Sequence, residues 1–85
     1  MRVATENMEY IIRNLYILSE LNYYGFNYKV IVYEHDNIIV CTFKKLSTGE
    51  MIDYAFTSAI VESVKFLDDF IESIMTTVKE AFREV

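Results

Sequence analysis

Two side chains in this sequence are reactive by type, His35 and Cys41. Held within hydrogen-bond reach, such a pair would make a thiolate nucleophile with an imidazole base. Their positions argue against it. If Asp36-Asn37 forms a two-residue hairpin turn, Tyr33 faces Val40 across the hairpin, and His35 and Cys41 fall on opposite faces of the sheet. Cys41 then reads as a small buried hydrophobe and His35 as a solvated residue at a hairpin tip.

Carboxylates are the other chemistry on offer, clustered at Glu6 and Glu9, at Asp68, Asp69 and Glu72, and at Glu80 and Glu84. General acid and base work needs two such groups in unlike environments within a concave site, and the sequence offers few polar partners to build one. The D-x-[DN]-x-[DN]-G loop of calcium binders is absent. No catalytic, cofactor or metal site is expected, and the chain reads as a non-enzyme.

The same acids read better as a surface. In the last helical segment Glu62, Asp69, Glu72 and Glu80 lie away from the apolar seam, Asp68 flanks it, and Lys65, Lys79 and Arg83 interrupt the row. Asp68 and Glu72 are like charges at i and i+4, a cost of a few tenths of a kcal/mol (~0.3) that a cationic partner would offset. The six carboxylates from Glu62 to Glu84 span about 33 Å of helix. Duplex DNA carries one charge per ~1.7 Å, so one helix mimics it only in part. Glu6, Glu9, Glu20, Glu34, Asp36, Glu50 and Asp53 would raise the density where they share a side.

The elements that position these groups follow from periodicity. From Thr5 to Tyr24, Met8, Ile11, Ile12, Leu15 and Leu18 recur at helical steps, with Thr5 as N-cap, Glu6 and Glu9 at the positive end and Gly25 as the stop. A second stripe, Tyr10, Ile17, Leu21 and Tyr24, makes this helix apolar on two sides. Between Phe26 and Phe56 the period changes to two, in Phe26 to Glu34, Asn37 to Lys45 and Glu50 to Phe56. One face of this meander collects Tyr28, Val30, Val32, Ile39, Cys41, Phe43, Ile52, Tyr54 and Phe56. The other holds Lys29, Ile31, Tyr33, His35, Ile38, Val40, Thr42, Lys44, Met51, Asp53 and Ala55, too apolar for a plainly solvated surface. From Ser58 onward Ile60, Val64, Leu67, Ile71, Ile74, Val78, Ala81 and Val85 predict one unbroken helix of roughly 40 Å. Phe66, Phe70, Met75 and Phe82 widen its apolar arc, which favours packing on a sheet. The expected fold is α+β, one domain over residues 1–85: helix, three-stranded antiparallel meander, and a long C-terminal helix on one sheet face.

Composition sets the remaining bounds. An apolar content of 53% suffices for a core in 85 residues without disulfides or metals, and 15% aromatics are hard to bury fully in so short a chain. The single Cys and the polar N-terminus predict a reducing, cytoplasmic location. A net charge of −5, from 13 acids against 8 bases, disfavours direct contact with nucleic acid or anionic lipid, and no apolar run approaches the ~20 residues that span a bilayer.

The helix from Thr5 to Tyr24, the strands around Lys29-Val30-Ile31-Val32, Ile38-Ile39-Val40-Cys41 and Met51-Ile52-Asp53-Tyr54, and the acidic segment from Lys65 to Glu72 together resemble small acidic inhibitors of phages and mobile elements. The anti-CRISPR proteins typify them. That resemblance is one of architecture and transfers no individual residue. It implies a non-enzymatic inhibitor in the host-cell cytoplasm whose Glu62, Asp68, Asp69, Glu72 and Glu80 cover a basic nucleic-acid-binding groove, such as that of a Cas effector. The alternative reading is an assembly module, a homodimer formed through Tyr10, Ile17, Leu21 and Tyr24 or through the sheet face bearing Ile31, Tyr33, Val40 and Met51. A third class, a small-molecule site between sheet and helix, leaves no mark in sequence.

Overall fold

The computed structural model describes residues 6–83. Helix α1 (Glu6–Glu20) leads into strands β1 (Tyr28–His35), β2 (Ile38–Lys45) and β3 (Met51–Thr57), followed by helices α2 (Ser58–Ser63) and α3 (Leu67–Arg83). The strands form an antiparallel meander in the order β1-β2-β3, and α1 and α3 pack on one of its faces. This is the expected α+β architecture.

Register follows from the first turn. Asp36 and Asn37 both have positive φ, 51° and 67°, as the centre of a type I′ hairpin requires, and Asp and Asn tolerate that region best after Gly. Tyr33 therefore pairs with Val40, and Cys41 lies between Val32 and Tyr54. Alternation does the rest: Tyr28, Val30, Ile39, Cys41, Phe43 and Phe56 are buried beneath the helices, with Val32, Ile52 and Tyr54 half-buried around them. Helix residues Met8, Ile11, Leu15, Ile71, Ile74, Met75, Val78 and Phe82 complete one core.

Both helix ends depart from the expected ones. Helix α1 ends before Gly25, because Asn22 takes the left-handed conformation at φ 54°. The Tyr23 amide then donates to Leu18 O at 3.1 Å and the Asn22 amide to Ser19 O at 3.0 Å, a pairing that satisfies the last carbonyls. The Thr5 cap lies outside the described residues. The single helix from Ser58 is also corrected, since Val64 is extended at φ −69°, ψ 130° and splits it into α2 and α3. An unbroken helix over 58–83 would run about 39 Å, longer than the 33 Å of the whole fold. The break instead lets Thr57, whose hydroxyl accepts from the Ile60 amide at 3.2 Å, start a short helix that buries Val61. Ile60, expected in the seam, is exposed, while Ile71, Ile74 and Val78 occupy it as expected. Val85 is outside the described residues.

Candidate functional site

The reactive pair of the sequence is kept apart. Cys41 is fully buried under the helices, and burial pushes its thiol up to about 12. His35 sits at the exposed hairpin tip on the other face, its Nε2 3.3 Å from Asp36. Among the described residues no three His, Cys, Asp or Glu side chains converge as a metal site would need.

The acidic residues are exposed, but they do not form one patch. Tyr10 Oη donates to Asp68 Oδ1 at 2.6 Å, which ties the start of α1 to the start of α3 and holds the Tyr10 hydroxyl above its ordinary pKa. Near the other ends Phe26 meets Phe82 at 5.5 Å between ring centroids. The two helices thus run side by side in the same direction. Glu6 and Glu9 stand in the first turn of α1, and Asp68 and Asp69 in that of α3, so both helices place acids where their unpaired amides favour negative charge. That placement offsets the repulsion expected between Asp68 and Glu72. Glu72 and Glu80 lie further along α3, Glu80 about 18 Å beyond Asp68, and Glu62 is on α2. Glu34, expected with the surface acids, points to the helix-covered side with Tyr28, Val30 and Val32. Its Oε1 is buried without a hydrogen-bond partner among the described residues.

The open sheet face is a defined surface. Its cross-strand rows read Lys29-Lys44-Met51, Ile31-Thr42-Asp53, Tyr33-Val40-Ala55 and His35-Ile38-Thr57. Met51, Ile31 and Tyr33 are 65%, 57% and 51% exposed, Ile38 is exposed beside them, and Val40 is half-buried at the centre. The stripe on α1 is less continuous. Tyr10, Ile17 and Leu21 are exposed, but the chain has left the helix by Leu21, and Tyr24 turns inward against Tyr23 and the core.

A third surface went unnoticed in the sequence. An open cleft of about 1040 Å³ lies where the end of α1, the start of β1, the β2–β3 loop and the end of α3 meet. Lys29, Lys45, Lys79 and Arg83 line it, against one carboxylate, Glu20. Lys45 Nζ stands 6.0 Å from the Phe26 ring centroid and 5.8 Å from that of Phe82. Spread over more than fifty positions, these cations form no sequence motif; the aromatic run from Tyr23 to Tyr28 was the one local signal.

Beneath the cleft, the edge of β1 is closed by α1. Ser19 Oγ accepts from the Tyr28 amide at 3.0 Å and donates to Tyr28 O at 2.7 Å, and Tyr16 Oη donates to Val30 O at 3.2 Å. Asn27 Nδ2 adds a bond to Ser19 O at 2.6 Å.

No family model matches the chain, and comparison with curated proteins and with solved structures finds no match. The class is therefore defined by the fold itself: an α+β domain with its helices on one sheet face and the other face open. Among the described residues no helix is long and apolar enough to cross a membrane.

Proposed function

We propose that this protein is a non-enzymatic interaction module that pairs with a second copy of itself through the open sheet face. The observation that supports this reading is the apolar patch of Ile31, Tyr33 and Ile38 around half-buried Val40, bordered by the Thr42–Asp53 hydrogen bond with Met51 beyond it, on a sheet whose other face is already filled. Stacking two such faces would form a sandwich with sheets ~10 Å apart, and Lys29 and Lys44 at one end could keep their ammonium groups in water. Size sets the strength. Strands of about 26 Å, three abreast at ~4.8 Å, present on the order of 400 Å², half the roughly 800 Å² per partner of a stable complex. Association is therefore of the transient, concentration-dependent kind.

A second reading, the acidic inhibitor, draws support from the Tyr10–Asp68 hydrogen bond, which brings the acidic first turns of two helices to one end of the molecule. In it, Glu6, Glu9, Asp68 and Asp69 occlude a basic nucleic-acid-binding groove of a host defence protein such as a Cas effector.

Sedimentation equilibrium from about 10 μM to about 1 mM separates the two. Self-pairing predicts an average mass rising from 10.0 kDa toward twice that value, unaffected by salt and abolished by Tyr33→Asp. A constant 10.0 kDa throughout refutes it. Retention of a nucleic-acid-binding protein from lysate, released by salt and lost in the Asp68→Lys, Asp69→Lys, Glu72→Lys variant, favours the inhibitor instead.

A further inference from the structure

We infer that the cationic cleft between the ends of α1 and α3 binds a small amphipathic organic anion, an apolar or aromatic body carrying a phosphate or carboxylate. This site shares only Lys29, at the sheet edge, with the open face and does not rest on self-pairing.

Charge segregation is the first argument. Among the described residues the lining of the cleft carries four cations and one carboxylate, a local +3 in a chain whose net charge is −5. The four cations come from three separate stretches of an acidic chain, and among the described residues none lies within salt-bridge distance of a carboxylate. Four cations against one carboxylate make the cleft an electropositive surface, and an anion placed there gains from their combined field.

Ordinary helix electrostatics explains only one of these four cations. Arg83 alone stands in the last turn of α3, where a cation suits the helix dipole, and Lys79 lies one turn earlier. Lys29 lies on β1 and Lys45 at the end of β2, outside any helix. Three carbonyls near the end of α1 are already engaged, Ile17 O by Leu21, Leu18 O by Tyr23, and Ser19 O by Asn22 and Asn27.

Half-buried Phe26 and exposed Leu46 supply the apolar half of the recognition, with buried Tyr28 and Phe82 backing Phe26. Phe26 contacts both Tyr28 and Phe82 at 5.5 Å, and exposed Leu46 forms part of the rim. Lys45 is held half-buried over these rings, where a cation is more weakly hydrated and meets an anion at lower desolvation cost. Arg83 offers a planar fork suited to two oxygens of a carboxylate or phosphate. The volume is that of a small-molecule site.

Titration of the full isotope-labelled chain with 1-naphthyl phosphate, followed by amide NMR shifts, tests the assignment, with 1-naphthol and inorganic phosphate as the separated halves. Expected are saturable shifts at Phe26, Lys29, Leu46 and Lys79 with a Kd in the range of about 0.1–1 mM, and binding of either half at least about tenfold weaker. Lys45→Gln with Lys79→Gln should weaken binding about tenfold; if that variant does not fold, Lys29→Gln alone should weaken it about threefold. Absence of shifts up to about 5 mM, equal binding of phosphate or naphthol alone, or unchanged affinity in the folded variants would each overturn the inference.

Discussion

Replacing Ser19 with Ala removes a single oxygen and leaves two buried peptide groups without partners. Ser19 is 7% exposed and Tyr28 4%, so water does not readily replace the hydroxyl that serves both the Tyr28 amide and its carbonyl. Each orphaned group costs about 1–3 kcal/mol, and the better helix propensity of Ala returns about 0.5 kcal/mol. A net loss of at least about 1.5 kcal/mol and up to about 5 kcal/mol follows, a large share of the ~5–15 kcal/mol of a typical domain, and it should lower Tm by at least roughly 6–12 °C. Urea titration should show the midpoint falling at constant slope, and hydrogen exchange should show the Tyr28 amide losing protection ahead of the β2 amides. The Asn27 bond to Ser19 O uses the main chain and survives the substitution. A loss under about 1 kcal/mol with Tyr28 still protected would refute the claim that this hydroxyl closes the β1 edge.

Cys41 should react with a disulfide reagent at pH 8 about a thousandfold more slowly than free cysteine, because only the opened chain exposes it. Burial raises the thiol from 9.0 to about 12, so the folded state holds its proton where the unfolded chain has lost it. That contribution to stability is complete below pH 9 and declines toward pH 12, by up to ~1.4 kcal/mol per pH unit, with buried Tyr28 adding in the same direction. Guanidinium titrations across that range check the sign, and rising stability would contradict it. Asn37→Gly relieves a non-glycine residue at φ 67° and should stabilise the fold by about 0.5 kcal/mol in thermal unfolding, whereas Asn37→Val should destabilise it.

Much of the fold was legible because local rules and tertiary needs agree. The Asp36-Asn37 turn fixes the hairpin register, and register plus alternation assigns every strand residue its face, from buried Cys41 to exposed Tyr33. The helix ends were less legible. Gly25 suggested a stop to α1, but Asn22 could already take the left-handed conformation, and the Leu18 and Ser19 carbonyls closed the helix there. The break at Val64 ran against an unbroken periodicity: its extended backbone ends α2, and α3 starts afresh at Leu67 to cover the sheet.

The surfaces divide along the same line. The sequence by itself determined which residues face outward on the sheet, since a period of two needs no knowledge of distant partners. That period already puts Glu34 on the face of Tyr28, Val30 and Val32, whereas only the tertiary structure decided that Asp68 meets Tyr10 and that Lys29, Lys45, Lys79 and Arg83 surround one cleft. Those contacts depend on where a helix end lies relative to a strand end, a distance set by core packing and loop length and written in no local pattern.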